Sequence, residues 1–319
     1  MKRKRLCSLV CAVILSLSFL CACNDGGSSG AVLRIAGGAP SGGYYLQSTP
    51  IALLWEKLDS VSICKVEATI GAYENLNLLS RGEADAGLAD MYAAYCASDG
   101  VDPFTSPLSG FSVLAYAAPL TIHFIVRASS DIYSVSDLKG HSLATGTPGS
   151  ATEAEVRTLL ELLDISYKDL SRVDRIGVGA SLTELQDGKV DAVAALLMSP
   201  SSSITETMLS TDIRLLSFTA DELVALAGSA SWLQPTVIPA GTYKGLDEDV
   251  NALCVPCALW VRSELPYDLV YDMTRTLYEN IDQLKEINVS YNGWTLLPQD
   301  GSDKWLHAAA RDFYDTLGR

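Results

Sequence analysis

The sequence predicts an α/β protein made of two similar units that face each other across a cleft. Strand-like and helix-like segments alternate along the chain, which is typical of a mainly parallel sheet with helices on both faces. Two sequence patterns occur twice, in the same order, roughly one hundred residues apart. Two apolar segments lie where the chain would pass from one unit to the other.

The N-terminal residues have the pattern of an export signal. Residues 1–5 are basic apart from Met1, and residues 6–20 form an apolar run that is short for a membrane-spanning helix. Leu20-Cys21-Ala22-Cys23 resembles the bacterial lipoprotein cleavage box, in which Cys23 is lipidated. We therefore expect residues 1–22 to be a lipoprotein signal peptide and residues 23–30 a flexible tether. An uncleaved anchor helix is the alternative.

The composition excludes several classes of protein. The 319 residues include 48% hydrophobic and 19% charged side chains, which excludes a disordered or collagen-like chain and allows a sizeable core. The formal net charge of −15 argues against a nucleic-acid partner, because phosphate neutralisation requires clustered Lys and Arg.

The first unit follows a strand–helix–strand rhythm. We expect a short strand over residues 33–36, a helix over residues 45–58 and a strand over residues 61–68. A helix over residues 75–80 and a strand over residues 84–89 complete it.

The repeated patterns link the two units. Residues 79–86 and residues 185–192 each read as a helix end, a glycine that can adopt the left-handed cap, and a strand of small residues. Upstream of each lies a glycine-rich strand-to-helix turn, at residues 37–43 and residues 146–152. Ligands of open α/β sheets bind at such carboxyl ends of strands, so both turns are expected on one cleft. Chance repetition in an α/β chain is the alternative.

Residues 114–126 and residues 252–261 are the expected crossovers between lobes. Residues 266–286 are expected to form a long amphipathic helix that packs back across the lobes. The predicted domains are lobe 1 over residues 31–120 plus 262–319, and lobe 2 over residues 121–261.

The cysteines do not predict a metal site. Four of the eight lie in the signal segment, and the others are Cys64, Cys96, Cys254 and Cys257. Cys254-Val-Pro-Cys257 has C-x-x-C spacing, but no second such pair exists and only three histidines are present. Small core residues are the favoured interpretation and a disulfide is the alternative. We expect neither a metal nor a cofactor.

The first glycine-rich turn is the candidate seat of an anion. It contains Ser41, and its backbone N–H groups and the following helix start suit a carboxylate or phosphate. No Gly-Lys-Ser/Thr follows, which argues against a nucleotide P-loop, and the turn does not contain the Gly-x-Ser-x-Gly pattern of a hydrolase elbow. Tyr44 and Tyr45 open the helix. One ring is expected in the cleft and the other in the core, unless both are structural.

Further candidates lie in equivalent turns. Asn75, after the turn at Gly71, is either a ligand contact or a helix start signal. Asp90 ends a strand and either reaches the cleft mouth or caps the next helix. Ser150 and Thr152 mirror Ser41 in the second lobe, or only cap their helix.

The charge pattern of these segments points to the ligand class. Across residues 35–49, 68–92 and 144–153, Arg81 is the only basic residue. An anion would therefore be held by N–H groups and hydroxyls, while Asp90 is available for an ammonium group. An amino acid fits both features.

The motifs together resemble the TAXI family of TRAP-transporter solute receptors, from about residue 32 to the C-terminus. The matching segments are residues 37–45, 68–76, 82–85, Asp90, 137–140, 146–153, 211–216, 238–243 and 265–271. The resemblance implies a two-lobed class II periplasmic-binding-protein-like fold with a hinge and an interlobe cleft. It also implies delivery of a solute, often glutamate or a related carboxylate, to a membrane permease driven by an ion gradient. This sequence departs from the family at Ala151, where Gly is usual, at residues 196–200 and at residues 297–301.

These observations predict a lipid-anchored extracytoplasmic receptor without a catalytic residue, cofactor or metal. Its expected partners are a small anionic or zwitterionic solute, TRAP permease subunits and the membrane through its lipid. Three alternatives remain: an ABC-importer binding protein, a ligand-sensing partner of a signalling receptor, and an enzyme with Asp90 as general base. The candidate ligand-binding residues are Ser41, Tyr44, Tyr45, Gly71, Asn75, Asp90, Ser150, Ala151 and Thr152.

Overall fold

A computed structural model describes residues 30–40, 42–230, 232–297 and 302–318. The predicted signal peptide, the lipidation residue Cys23 and the candidate Ser41 lie outside the described residues. The strands are β1 (Ala31–Ala36), β2 (Val61–Glu67), β3 (Ala86–Asp90), β4 (Phe111–Arg127), β5 (Ser142–Thr145), β6 (Arg172–Arg175), β7 (Ala192–Leu197), β8 (Ile213–Leu215), β9 (Gln234–Ile238) and β10 (Val250–Arg262).

Helices flank these strands in near alternation. The α-helices are α1 (Gly43–Trp55), α2 (Ala72–Ser80), α3 (Met91–Asp99), α4 (Ala151–Leu162), α5 (Val178–Gln186), α6 (Ser202–Met208), α7 (Ala220–Ser229), α8 (Tyr267–Glu279), α9 (Ile281–Ile287) and α10 (Ala308–Thr316). Short 3-10 helices cover Val135–Leu138, Tyr167–Asp169, Val289–Gly293 and Ser302–Trp305. Among the described residues, no helix combines the length and apolar character needed to cross a bilayer.

All ten strands belong to one sheet. Its order is β2-β1-β3-β10-β4-β7-β5-β6, with β8 paired to β4 and β9 to β10. The parallel strands β1, β2 and β3 form the first lobe on one side, and the parallel strands β5, β6 and β7 form the second lobe on the other. The mixed α/β architecture confirms the predicted fold class.

The two longest strands connect the lobes. β4 and β10 pair antiparallel in the centre of the sheet, so the expected crossovers at residues 114–126 and 252–261 are these strands. Their register shifts between Val255 and Cys257, next to Pro256 and opposite the stretch that contains Pro119. Proline has no N–H to donate to a ladder, so pairing is weakest where the sheet passes between the lobes. The lobe boundaries given above stay a prediction.

The C-terminal helix differs from the expectation. The predicted helix over residues 266–286 is divided into α8 and α9 at Asn280, whose side chain donates to the Thr276 carbonyl. Asparagine competes with the helical backbone in this way. Leu269, Val270 and Met273 of α8 are buried in the core of the first lobe, and the Trp55 indole donates to the Met273 carbonyl.

The repeated Gly-x-x-Asp pattern has one structural role in both lobes. Gly82 and Gly188 have φ of +68° and +71°, the left-handed conformation that the pattern predicts. The Oδ2 of Asp85 accepts from the backbone N–H of Arg34 in β1, and its Oδ1 from the Arg262 guanidinium at the end of β10. Each repeated aspartate therefore ties a parallel strand to the end of a long central strand.

The second lobe repeats this arrangement. Asp191 Oδ2 accepts from the backbone N–H and hydroxyl of Ser142 in β5, at 2.8 and 2.7 Å. Arg127, at the end of β4, lies 4.0 Å from the Asp191 carboxylate and donates to the Leu185 and Val190 carbonyls. Partial burial acts to raise the pKa of Asp191, but the hydrogen bonds from Ser142, together with the nearby His141 and Arg127, lower it below its ordinary value.

The four cysteines of the described chain are buried and free. Cys254 and Cys257 are buried residues of the core strand β10. No cluster of metal-ligating side chains is found in the described ranges.

The two aspartates make a matched test of this shared anchor. We expect Asp85→Asn to lower the free energy of unfolding by about 2 kcal/mol, because it weakens a charge-assisted bond in a nearly buried place. Asp191→Asn should cost less than about 1 kcal/mol, because the Asp191 side chain is 40% exposed. Urea denaturation measures both, with the exposed Asp59→Asn as control. Losses no larger than that of Asp59→Asn at both sites would contradict the shared anchor, and an equal or larger loss for Asp191→Asn would contradict the expectation that burial sets its strength.

Candidate functional site

A cleft of about 310 Å³ lies between the lobes. The first lobe contributes the β1–α1 and β2–α2 turns, and the second contributes the β5–α4 and β7–α6 turns. Residues 288–290, at the start of the Val289–Gly293 3-10 helix, form the rim segment of the cleft. The lining residues are Gly38, Ala39, Gly42, Gly43, Tyr44, Leu46, Ile70, Gly71, Ala72, Leu120, Ser150, Ala151, Thr152, Val178, Leu196, Leu197, Met198, Pro200, Ser201, Ser202, Ser203, Asn288, Val289 and Ser290.

Four α-helices that are each longer than the seven-residue α6 begin at this cleft. α1, α2, α4 and α5 each have a first-turn or capping residue in its wall. The capping positions Gly42, Gly71 and Gly177 have no side chain, and no cap hydrogen bond is formed there among the described residues. First-turn N–H groups lack partners within their own helix and carry the positive end of its dipole. Together they form a seat for an anion.

The second-lobe turn is closely packed. A Cβ on Gly146 would lie 2.5 Å from the Ser150 hydroxyl oxygen and 2.8 Å from the Glu153 backbone nitrogen. Glycine at this position therefore allows the start of α4 to approach the end of β5. The Ser150 hydroxyl accepts from the Glu153 N–H at 3.3 Å, and its own proton remains available to a ligand.

No charged side chain lines the cleft in the part of the chain that the structure describes. The wall consists of glycine, alanine and larger apolar residues with hydroxyls and one amide. Leu46, Ile70 and Val289, at its mouth, are 49%, 65% and 61% exposed. The cleft thus offers N–H and O–H donors at some points and apolar contact at others, and none of its described wall residues has a carboxylate for an ammonium group.

The structure brings together five of the predicted site residues. Tyr44, Gly71, Ser150, Ala151 and Thr152 all line the cleft. The Tyr44 ring is half-buried, and its hydroxyl lies 3.5 Å from the Cys257 sulfur on β10. Burial raises the pKa of Tyr44 well above its ordinary value, so its hydroxyl stays protonated.

Three other predicted residues lie outside the cleft wall. Tyr45 is half-buried on α1. Asn75 is fully buried; it accepts from the Thr69 hydroxyl at 2.6 Å and donates to the Leu88 carbonyl at 2.7 Å. Asp90 is also fully buried and caps α3 by accepting from the Ala93 N–H at 2.7 Å. In this structure Asn75 therefore stabilises the β2–α2 turn, which lines the cleft, whereas Asp90 stabilises the start of α3, which does not.

The Ser201–Ser203 turn was not among the predicted site residues, and neither was the buried hydrogen-bond network that supports it. The Ser201 N–H donates to the Tyr243 hydroxyl at 2.9 Å, and that hydroxyl lies 3.3 Å from His123 Nε2. His123 Nδ1 lies 2.9 Å from the Thr121 carbonyl, which places the ring proton on Nδ1. Burial lowers the pKa of His123 to about 4, so the neutral ring accepts from Tyr243. Only the departure at residues 196–200 signalled this turn.

A second missed network connects the lobes through Gln47 on α1. Its amide donates to the Met198 sulfur at 3.1 Å and accepts from the Trp294 indole at 2.6 Å. The Tyr291 hydroxyl donates to the Gln47 backbone carbonyl. These bonds place the rim segment at residues 288–290 against the cleft. No local sequence pattern identifies them.

Tyr243→Phe tests the support of the Ser201–Ser203 turn. Removal of the hydroxyl leaves a buried N–H and a ring nitrogen unpaired, and we expect a loss of about 1–3 kcal/mol in the free energy of unfolding. Because the His123 pKa lies at about 4, this loss should be constant from pH 5 to 8.

The pH dependence of the wild type has a defined sign. The unfolded His123 binds a proton below about pH 6.5 and the native ring does not, so stability should fall from there towards pH 4. Denaturation curves at several pH values measure both effects, and Tyr133→Phe on the surface is the control. A Tyr243→Phe loss that disappears at pH 7 would contradict the network.

Comparison with known proteins agrees with this architecture. PhnD1 of Prochlorococcus marinus, in complex with methylphosphonate, is 12% identical with a TM-score of 0.57; the match covers 90% of this chain and 98% of that one. The periplasmic binding protein BugD is 14% identical with a TM-score of 0.55, over 89% and 94% of the two chains. A TctC solute-binding protein from Polaromonas is 12% identical with a TM-score of 0.53, over 90% and 98%.

These likenesses show the fold, which is that of the class II periplasmic binding proteins. A family description matches nearly the whole described chain, from residue 35 to residue 318. The protein belongs to the NMT1-like family.

Proposed function

We propose that the protein is an extracytoplasmic receptor that binds a small anionic solute and presents it to a membrane transporter. The observation that carries the proposal is the convergence of four helix N-termini on an interlobe cleft without a charged wall residue in the described ranges. The donors act at short range, so the acidic body does not exclude an anion; distant charges are screened beyond about 8–10 Å.

The wall favours a carboxylate over an amino acid. A glutamate-like solute would bring an ammonium group that needs an acceptor, and Asp90, the carboxylate expected to serve it, is buried as a helix cap. The apolar residues at the mouth suit the carbon skeleton of the solute. PhnD1, which shares the fold, was solved with methylphosphonate, another small anion.

Function would arise from closure about the β4–β10 strands rather than from a catalytic step. The anion gains contacts from both lobes only when the cleft is closed, and this differential contact stabilises the closed form. The resemblance to TAXI receptors favours a TRAP permease as the partner, and lipid on Cys23 would hold the protein at the membrane. An ABC importer or a signalling receptor would use the same closed form.

A thermal-shift panel tests the anion seat. Small carboxylates and methylphosphonate should raise the melting temperature of the purified protein, and an occupant at a hundred times its Kd adds about 2.7 kcal/mol. Glutarate should stabilise at least as much as glutamate, because no described wall residue pairs an ammonium group. Choline and spermidine are the cationic controls. Binding of a cation with failure of every anion would refute the proposal.

Ser150→Ala separates ligand contact from helix capping. Loss of a hydrogen bond to a charged group, worth about 1.5–3 kcal/mol, should weaken binding of the best anion by roughly ten- to a hundredfold. Loss of the cap alone should lower apo stability by about 0.5–2 kcal/mol and leave the affinity unchanged. Calorimetric titration and apo melting measure the two. Unchanged affinity with a lower melting temperature would assign Ser150 to the scaffold.

A further inference from the structure

Two acidic side chains are buried against each other where the lobes meet, outside the cleft wall. Asp90 ends β3 in the first lobe, and Glu155 lies on α4 in the second. Both residues are fully buried. Ala154, next to Glu155, packs in one core cluster with Ala89 and Met91, the chain neighbours of Asp90, so the two carboxyl groups lie at the same lobe contact, and burial beside Asp90 raises the pKa of Glu155. The solute site described above does not use this pair.

The hydrogen bonds of the pair require a proton. Asp90 Oδ1 accepts from the Ala93 N–H, and the Tyr44 hydroxyl also favours the ionised form of Asp90, whereas both Glu155 oxygens are buried without a bond from an N–H or O–H donor of the described residues. Two carboxylates cannot bond to each other, but a carboxylic acid can donate to a carboxylate. The capping bond favours the ionised form of Asp90, so Glu155 is the residue that holds the proton.

Among the residues that the structure describes, the titratable groups around the pair are neutral. The titratable groups that face it are Tyr44 on α1, Tyr73 on α2, Tyr92 and Cys96 on α3, and Cys257 on β10. Burial raises the pKa of each of them, so all five are neutral. The Tyr73 hydroxyl is itself buried without a partner in the described chain. Among these groups, only a proton can remove the second negative charge.

The pair belongs to a contact that lobe opening would break. Ala154 of α4 is buried in a core cluster of first-lobe residues. Tyr92 and Thr158 hydroxyls lie 3.4 Å apart, and Arg157 Nη2 lies 3.2 Å from the Asp102 carboxylate. Movement of α4 away from α3 would admit water to both carboxyl groups.

We infer that closure of the two lobes takes up one proton, which Glu155 holds against Asp90, so that acid favours the closed form. The inference rests on the hinge closure proposed above but not on the identity of the solute. The sign follows from the pKa of Glu155, which has an ordinary value near 4.3 in water and is raised well above it by burial beside Asp90. Between these two values the closed form binds one more proton than the open form. The closed-to-open ratio should therefore fall about tenfold for each unit of rising pH in that window.

Pulsed EPR on the solute-free protein tests the coupling. Spin labels at Lys65→Cys in the first lobe and Lys168→Cys in the second, both at exposed positions, report the distance between lobes from pH 5 to 8. The wild type should lose the short-distance population as pH rises. Glu155→Gln should abolish this dependence, and Glu161→Gln, an exposed position on the same helix, should retain it. Asp90→Asn is a second variant, which keeps the helix cap and should likewise abolish it.

Each other outcome overturns the inference. Two distance populations with no pH dependence would refute proton uptake and leave hinge closure intact, whereas one distance under all conditions would refute both. The short-distance population can also be compared in NaCl and in choline chloride at one fixed pH. If it depends on which of these salts is present, the pair binds a cation rather than a proton. Circular dichroism shows whether the Glu155→Gln and Asp90→Asn variants are folded like the wild type. If they are, and both retain the pH dependence of the interlobe distance, the proton belongs to another group.

Discussion

The antiparallel pairing of β4 with β10 is the constraint on which the rest of the structure depends. These two strands are the central members of the sheet and belong to both lobes. They end in Arg262 and Arg127, which engage Asp85 and Asp191 and so fix the parallel strands of each lobe. They also carry His123 and Cys257, which contact the tyrosines next to the cleft. The register of the two strands shifts between Val255 and Cys257 and again between Leu259 and Trp260, and the first of these shifts lies where the sheet passes between the lobes.

The electrostatics of the molecule differ between surface, cleft and lobe contact. The surface is acidic, with 38 Asp and Glu against 23 Lys and Arg in the whole chain. The described wall of the cleft has no formal charge, and helix N-termini provide its positive potential. The contact beside it contains two buried acids with unpaired oxygens, between which we infer one shared proton. When the lobes close, an anion would offset the positive potential of the helix N-termini, and a proton would neutralise one of the two acids. Each would therefore favour the same closed state.

The two lobes share a scaffold but not a binding surface. Both use a left-handed glycine and an aspartate to anchor a strand. At the cleft, however, the first-lobe helices start at glycines without a cap bond, while α4 starts at a serine whose hydroxyl accepts from Glu153. Both lobes therefore offer uncapped N–H groups, since α5 of the second lobe also starts at a glycine, and the second lobe adds the serine and threonine hydroxyls. Under the proposed function, this difference would allow one end of a solute to be distinguished from the other.

The sequence by itself determined the α/β class, the two repeated units and the turns that form the cleft, because these depend on local patterns of glycine, apolar residues and helix starts. It also identified five of the residues that line the cleft. Only the tertiary structure decided the roles of Asn75 and Asp90, since a polar residue after a strand can face either a cleft or a helix end, and burial selects one. The Gln47, Tyr243 and Glu155 contacts join positions between 42 and 247 residues apart. No local pattern specifies such pairs; they arise when the β4–β10 strands bring the two lobes together.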